Sequence, residues 1–297
     1  MSRSHGGRWW NEREQTLFSY RHGFHAGHHA DVLKHVVLVQ MLAYLTAKET
    51  PLWVVDTHAG AGAYSLESKF ARKLGEFKDG IGRLWGQSAL PPALAEYVHQ
   101  VKKINPDGAL RSYPGSPQIA LQMMRSGDRL RLFELHTTEC QLLQIHFRGA
   151  GRRVAVQAAD GFAGLKALLP PPSRRGLVLI DPSYEDKADY RKVVETMSDA
   201  LRRFATGTYA VWYPQVQRQE AQDLPGQLKK LAAGDWLQVS LTVKAAAEDG
   251  LGLNGSGLFI FNPPWNLAAT LQAVMPALVK LLSQDRKATF KLNFRQT

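Results

Sequence analysis

Four acidic residues close apolar runs in this sequence, in the order Asp56, Glu134, Asp160 and Asp181. The run Leu52-Trp53-Val54-Val55 ends at Asp56, and His58 and a Gly60-Ala61-Gly62 turn follow it. Glycines let a ligand approach the backbone closely, and such a turn aims N–H groups at it. The third glycine of a dinucleotide fingerprint is missing, because position 65 is Ser65. That disfavours a nicotinamide dehydrogenase. Glu134 ends the second run, where a carboxylate can accept both hydroxyls of a ribose diol. Asp160-Gly161 follows the third run. Asp160 can accept from an adenine amino group, or it can cap a helix, for which Asp is a preferred residue.

The fourth acid opens Asp181-Pro182-Ser183-Tyr184, 21 residues after Asp160. An acid, a proline and an aromatic at a strand end make an amine site. Asp181 accepts one hydrogen bond from an exocyclic NH₂, and the carbonyl of Pro182 accepts the second. Tyr184 stacks on a flat base withdrawn from its helix. The amine nitrogen then gains electron density as it attacks a methyl group in line, and Asp181 takes up the lost proton. Asn262-Pro263-Pro264-Trp265 is the rival, and as a string it is the cleaner amine-methylating tetrapeptide. It follows the last strand, at the expected sheet edge, and not the strand beside a switch-point crevice.

Five of the ten histidines fall in Tyr20-Arg21-His22-Gly23-Phe24-His25-Ala26-Gly27-His28-His29-Ala30-Asp31-Val32-Leu33-Lys34-His35. Imidazole is a common metal ligand, but no His-Glu-x-x-His companion occurs, so no metal is expected. The segment reads as a basic aromatic loop that opens a helix at Asp31, with Asp31 as its cap and Lys34 and His35 in its first turn. The helix then runs apolar nearly all round over 36–45, which predicts that it is buried.

The elements that must hold these residues alternate. Strand-like runs lie at 52–55, 130–135, 154–156, 177–180, 208–213, 237–243 and 258–261. Helix-sized segments separate the first five, which predicts a parallel α/β sheet covered on both faces. A short Gly- and Asn-bearing loop joins the last two, which predicts an antiparallel pair at one edge. Seven strands in this order point to a methyltransferase sheet. In a doubly wound fold the second acid lies about 20 residues past the glycine loop. Here Glu134 lies 74 residues past Gly60. The excess predicts a helical insertion at about 65–114, carrying Arg72, Lys73, Lys78, Arg83, Trp85, Lys102, Lys103 and Arg111. It reads as a substrate clamp or as a solvated insert. Residues 1–16 read as a flexible extension of a methyltransferase domain over 17–297.

Lys and Arg number 37 against 26 Asp and Glu, a net charge of +11. A protein this basic commonly meets a polyanion, nucleic acid first among them. Apolar residues make up 44 % of the chain, which excludes global disorder. The one cysteine, Cys140, excludes a disulfide framework and fits a cytoplasmic protein. No apolar run approaches the roughly 20 residues of a membrane-spanning helix, and no signal peptide opens the chain.

Taken together, the strings 20–35, Asp56 to Gly62, Tyr113-Pro114-Gly115-Ser116-Pro117, Ala159 to Phe162, Ser173 to Leu177 and Phe204 to Gly207 resemble the RlmJ family of ribosomal RNA methyltransferases. The resemblance spans roughly residues 17–265. It implies a class I Rossmann-like fold with a helical insertion subdomain and a cytoplasmic monomer. It implies S-adenosyl-L-methionine as cofactor and 23S ribosomal RNA as partner, with N6-methylation of one adenine, nucleotide 2030. The matching cofactor contacts are His35, His58, Ser116, Glu134, Asp160, Gly161 and Asp181. Asp181 is also the catalytic proton acceptor, and Tyr20 the RNA contact. Ser183 departs from the family, whose tetrapeptide has a second proline there; the regained N–H loosens the turn. A DNA adenine methyltransferase, or an RNA-binding module with a vestigial cofactor fold, are the alternatives.

Overall fold

A computed structural model describes residues 25–68, 71, 75–247, 250 and 252–296. All seven predicted strands are present: β1 (Trp53–Asp56), β4 (Arg129–Phe133), β5 (Val154–Gln157), β6 (Gly176–Ile180), β7 (Thr208–Gln215), β8 (Trp236–Thr242) and β9 (Gly255–Phe261). The short strands β2 (Ala63–Ser65) and β3 (Ser112–Pro114) pair with each other outside the main sheet. The main sheet has the order β5-β4-β1-β6-β7-β9-β8, followed at the far edge by β10 (Thr289–Arg295). Strands β5, β4, β1, β6 and β7 are parallel. The chain winds outward from β1 through β4 to β5, then crosses back to β6. That reversal between β1 and β6 is the switch point at which open α/β sheets hold their ligands.

Two strand expectations need correction. The sheet has eight strands, not seven, because β10 (Thr289–Arg295) adds antiparallel to β8. Its alternation of Phe290, Leu292 and Phe294 with Thr289, Lys291, Asn293 and Arg295 is a strand pattern. Phe290 and Leu292 pack against the main core, and Phe294 stays exposed. Nor do β8 and β9 form the edge: β9 inserts between β7 and β8, antiparallel to both, and β10 is the edge.

The helices form two layers. On one face lie α1 (His29–Thr46), α2 (Ile81–Trp85), α3 (Pro92–Lys102), α4 (Ser116–Met123), α5 (Thr137–Phe147) and α9 (Leu267–Leu282), all contributing to one apolar cluster. On the other lie α6 (Gly161–Leu168), α7 (Ala188–Arg203) and α8 (Gln219–Leu231), packed on a second cluster. Helix α7 buries a stripe of Tyr190, Val193, Met197 and Ala200, the spacing of an amphipathic helix with one core face. Helix α1 is buried from His29 to Val39, because the sheet lies on one side of it and α3 and α4 on others. The insertion is pinched at its neck by the β2–β3 pair, and its Ile81, Leu84, Leu94, Tyr97 and Val101 enter the same cluster as α1. Among the described residues no helix is long and apolar enough to cross a membrane.

Candidate active site

Asp56, Glu134, Asp160 and Asp181 stand at the C-terminal ends of β1, β4, β5 and β6, four neighbouring parallel strands. A parallel sheet puts those ends on one side, so the four acids converge where the strand order reverses.

Each carboxylate has its own setting. Glu134 receives two backbone N–H groups, Gly60 at Oε2 and His136 at Oε1, both at 2.8 Å. Partial burial raises its pKa, and the two N–H bonds oppose that rise. A carboxylate has room for about four hydrogen bonds, so its outer lone pairs remain for a diol. Gly60 has φ +58°, which turns its N–H back toward Glu134. Asp160 caps α6, the alternative its residue type allows: Oδ1 accepts from Phe162 N at 2.8 Å. Its Oδ2 accepts no hydrogen bond among the described residues, and the side chain is exposed. Capping therefore leaves an acceptor facing outward. Gly161 lies so close to β1 that a Cβ there would stand 2.0 Å from Thr57 O. No side chain fits between that helix start and the strand.

Asp56 is buried. Its Oδ2 accepts from Ser116 Oγ at 2.7 Å and its Oδ1 from His58 N at 3.2 Å. Burial pushes its pKa up to about 6, and the Ser116 hydroxyl works against that. Thus Ser116 and His58, expected only as cofactor contacts, are tied to one carboxylate. The His58 ring shares a 2.8 Å hydrogen bond with the Thr57 hydroxyl and meets Phe162 edge-on at 4.8 Å. Burial lowers its pKa to about 4, so it is a neutral imidazole. His35 lies deeper, its Nδ1 2.8 Å from Tyr113 Oη, which is 2.9 Å from Tyr97 Oη. Through that chain the insertion touches the helix beneath the site.

Lys34 is the residue that sequence reasoning missed. Its Nζ lies 2.5 Å from Asp181 Oδ2 and 2.9 Å from Asp31 Oδ1, and its side chain is buried. Burial alone would lower its pKa; the charges of Asp181 and Asp31 outweigh burial and raise it, so it stays an ammonium. The predicted cap is corrected with it. His28 is the N-cap, accepting from Asp31 N at 3.4 Å, while Asp31 Oδ2 reaches back to Gly27 N at 2.9 Å. Lys34 and His35 therefore fall in the second turn, pointing into the protein. The apolar continuation to Val39 was a signal that the helix start was also buried.

The turn after Asp181 is held from three sides. Tyr184 has φ +55°, the left-handed region that bulky residues avoid. Its hydroxyl donates to Trp212 O at 2.7 Å, and Arg218 Nη1 donates to its carbonyl at 2.9 Å. Its ring is 3 % exposed, against Tyr190 and Trp212, and presents no open face for a base. Pro182 is buried and Ser183 exposed. Tyr20, Arg72 and Lys73 lie outside the described residues.

Asn262 is excluded by topology. It follows the antiparallel strand β9, so it sits at the opposite end of the sheet, beside the start of β7. There its Nδ2 donates to Ala205 O and Gly207 O, each at 2.7 Å, and its carbonyl accepts from Thr208 Oγ1. It is a turn-closing residue. Of the described histidines near the N-terminus, His25 pairs with Glu76 at 2.8 Å, His28 caps α1 and His35 bonds Tyr113.

Comparison with known proteins follows the same lines. A family model described as "Ribosomal RNA large subunit methyltransferase D, RlmJ" matches residues 49–295. The chain is 46 % identical over 267 residues to ribosomal RNA large subunit methyltransferase J of Haemophilus influenzae, covering 90 % of this chain and 94 % of that one. It is 47 % identical over 262 residues to the Escherichia coli protein of the same name, covering 88 % and 93 %. A crystal structure of a Legionella pneumophila protein superposes with TM-score 0.84 at 36 % identity, covering 91 % of this chain and 98 % of that one.

Proposed function

The chain belongs to the RlmJ family of large-subunit ribosomal RNA methyltransferases, and from that premise we propose that it methylates N6 of one adenine in 23S ribosomal RNA, nucleotide 2030, using S-adenosyl-L-methionine. The observation that carries the chemistry is the pair formed by half-buried Asp181 and buried Lys34 beside three further strand-end acids at the switch point.

The site fits that cofactor. Glu134 has outward lone pairs for a ribose diol, and Asp160 Oδ2 stands ready for an adenine amino group. Gly161 packs directly on Thr57 O, and the turn at Gly60, which holds the Tyr64 hydroxyl, donates its N–H to Glu134, so backbone rather than bulky side chains lies next to these acids. His58 and Ser116, both fixed by Asp56, border it. When bound, S-adenosylmethionine supplies the electrophilic methyl.

The protein's own part is to aim an amine and remove its proton. Lys34 holds Asp181 Oδ2, and Oδ1 accepts no bond among the described residues, so it can receive an N6 hydrogen. The Pro182 carbonyl takes the other. As the nitrogen becomes cationic, Asp181 accepts its proton. The ion pair then loses its anion, and Asp31, already 2.9 Å from Lys34, keeps the ammonium neutralised. Tyr184 acts by fixing the turn from beneath. With its ring covered, stacking on the base falls to another group or requires the turn to shift.

Transfer of labelled methyl to unmodified large-subunit RNA, duplex DNA and a protein mixture tests the proposal. Label should enter only the RNA, as N6-methyladenine at one site, and fall to background with Asp181→Ala. Label in DNA alone would move the assignment to a DNA enzyme. RNA binding without any label would leave a binding module.

A further inference from the structure

Beyond the site at the switch point, the sheet carries a polar strip that the proposed chemistry does not use. On β8, Leu237, Val239 and Leu241 enter the main core, so Gln238, Ser240 and Thr242 point to the other face. The antiparallel register sets Lys291 beside Ser240 and Thr289 beside Thr242 on that face. Helix α8 packs on β7 and stops short of this strip, leaving a groove of about 560 Å³ between them.

The groove has a definite chemistry. Three lysines line it, Lys244, Lys287 and Lys291, together with amides and hydroxyls, and no carboxylate does so among the described residues. Asp285 stands near two of the lysines, but its oxygens accept Ala245 N and Lys287 N, each at 2.7 Å, and tie the rim together. Asn254 lies in the wall, 9 % exposed, and its backbone is fixed by bonds to Gln215 O and from Val243 N. Its Oδ1 is buried with no hydrogen-bond partner among the described residues. A buried acceptor without a donor is costly unless a ligand supplies one. The groove opens at Gln215–Gln217, the end of β7, one strand away from the end of β6 that carries Asp181.

We propose that this groove takes the sugar-phosphate backbone of the RNA strand flanking the target nucleotide. Lys244, Lys287 and Lys291 meet phosphates, and Asn254 Oδ1 accepts from a ribose 2′-hydroxyl. The lysines supply affinity for any single strand. The asparagine makes the groove prefer RNA, because DNA has no 2′-hydroxyl to donate. The inference rests on the RNA methylation reading above and adds where the substrate lies.

The test is methylation kinetics on unmodified 23S transcript with the full chain. Replacing Lys244, Lys287 and Lys291 together by Gln should raise KM about tenfold and leave kcat within about twofold. The slope of log KM against log salt should become shallower by roughly two, at about 0.7 per phosphate contact on a single strand. The matching triple Arg variant should keep the wild-type KM. With Asn254→Leu, an oligoriboadenylate should lose its advantage over its deoxy counterpart as a competitor. Wild-type KM and salt slope in the Gln variant, a raised KM in the Arg variant, or an unchanged RNA advantage in Asn254→Leu overturns the groove. A wild-type protein that methylates no RNA overturns the function itself, so the two failures are distinct.

Discussion

At Lys34 one ammonium answers two carboxylates that the chain places far apart, one three residues before it and one 147 residues after it. Removing it should therefore do two separable things. Lys34→Met strips buried Asp31 of the ammonium 2.9 Å away, which should cost about 3–5 kcal/mol of stability. It also frees the Asp181 carboxylate to swing, which should slow turnover on the order of a hundredfold. Adding Asn at position 31 (Asp31→Asn) should restore much of the urea midpoint and none of the turnover. Stability that stays flat in Lys34→Met would mean the buried charges are not coupled as drawn. Glu134, Asp160 and Asp181 were legible as acids after apolar runs, because a strand end is a local pattern. Lys34 was not, because its role depends on which strand its helix lies against. The residue type of Tyr184 suggests a stacking platform, yet its backbone turn directs the ring into the core. In the sequence Asp56 marks only the end of its strand. Its hold on Ser116 spans 60 residues and belongs to the fold.

Among the elements, the start of α6 is the tightest joint near the site. Gly161→Ala places a methyl 2.0 Å from Thr57 O, which is backbone and cannot step aside. The helix must back away from β1 and carry Asp160 with it. Affinity for S-adenosylhomocysteine, measured calorimetrically, should fall at least about tenfold, since displacement by about 1 Å breaks a positioned hydrogen bond. Gly86→Ala is the control, because nothing lies within 4 Å of a Cβ there, and it should bind as the unmodified chain does. Equal affinity in both variants would show that α6 does not set the cofactor contact. The seven strands read from the sequence could be found because each is a short apolar run bounded by turns. Strand β10 is less legible, because its apolar residues alternate with polar ones and only part of that face is covered. The place of β9 between β7 and β8 was also hidden. A hairpin-like spacing fixes which strands pair, not which side of the pair meets the rest of the sheet.

For the whole molecule, the buried histidines set a direction for stability against pH. Burial lowers His29 to about 3 and His58 to about 4, from an ordinary 6.5. In the unfolded chain both imidazoles protonate as pH falls below about 6.5, while the folded chain resists. Their contribution is complete above that pH and drains away as the medium is acidified toward 4. Asp56 opposes them. Burial raises it from 3.8 to about 6, so folding takes up its proton between those values and gains from acidification there. Of these three shifts, those of the histidines are the larger. The net effect is a loss of a few kcal/mol between pH 7 and pH 4. The chain's positive charge of +11 adds self-repulsion as further histidines ionise. Urea midpoints taken across that range should fall steadily. His29→Leu should flatten the fall, because the unfolded state then has one fewer proton to gain. Asp56→Asn should steepen it, because it deletes an opposing group. A fall of unchanged slope in His29→Leu would mean that His29 is not held neutral.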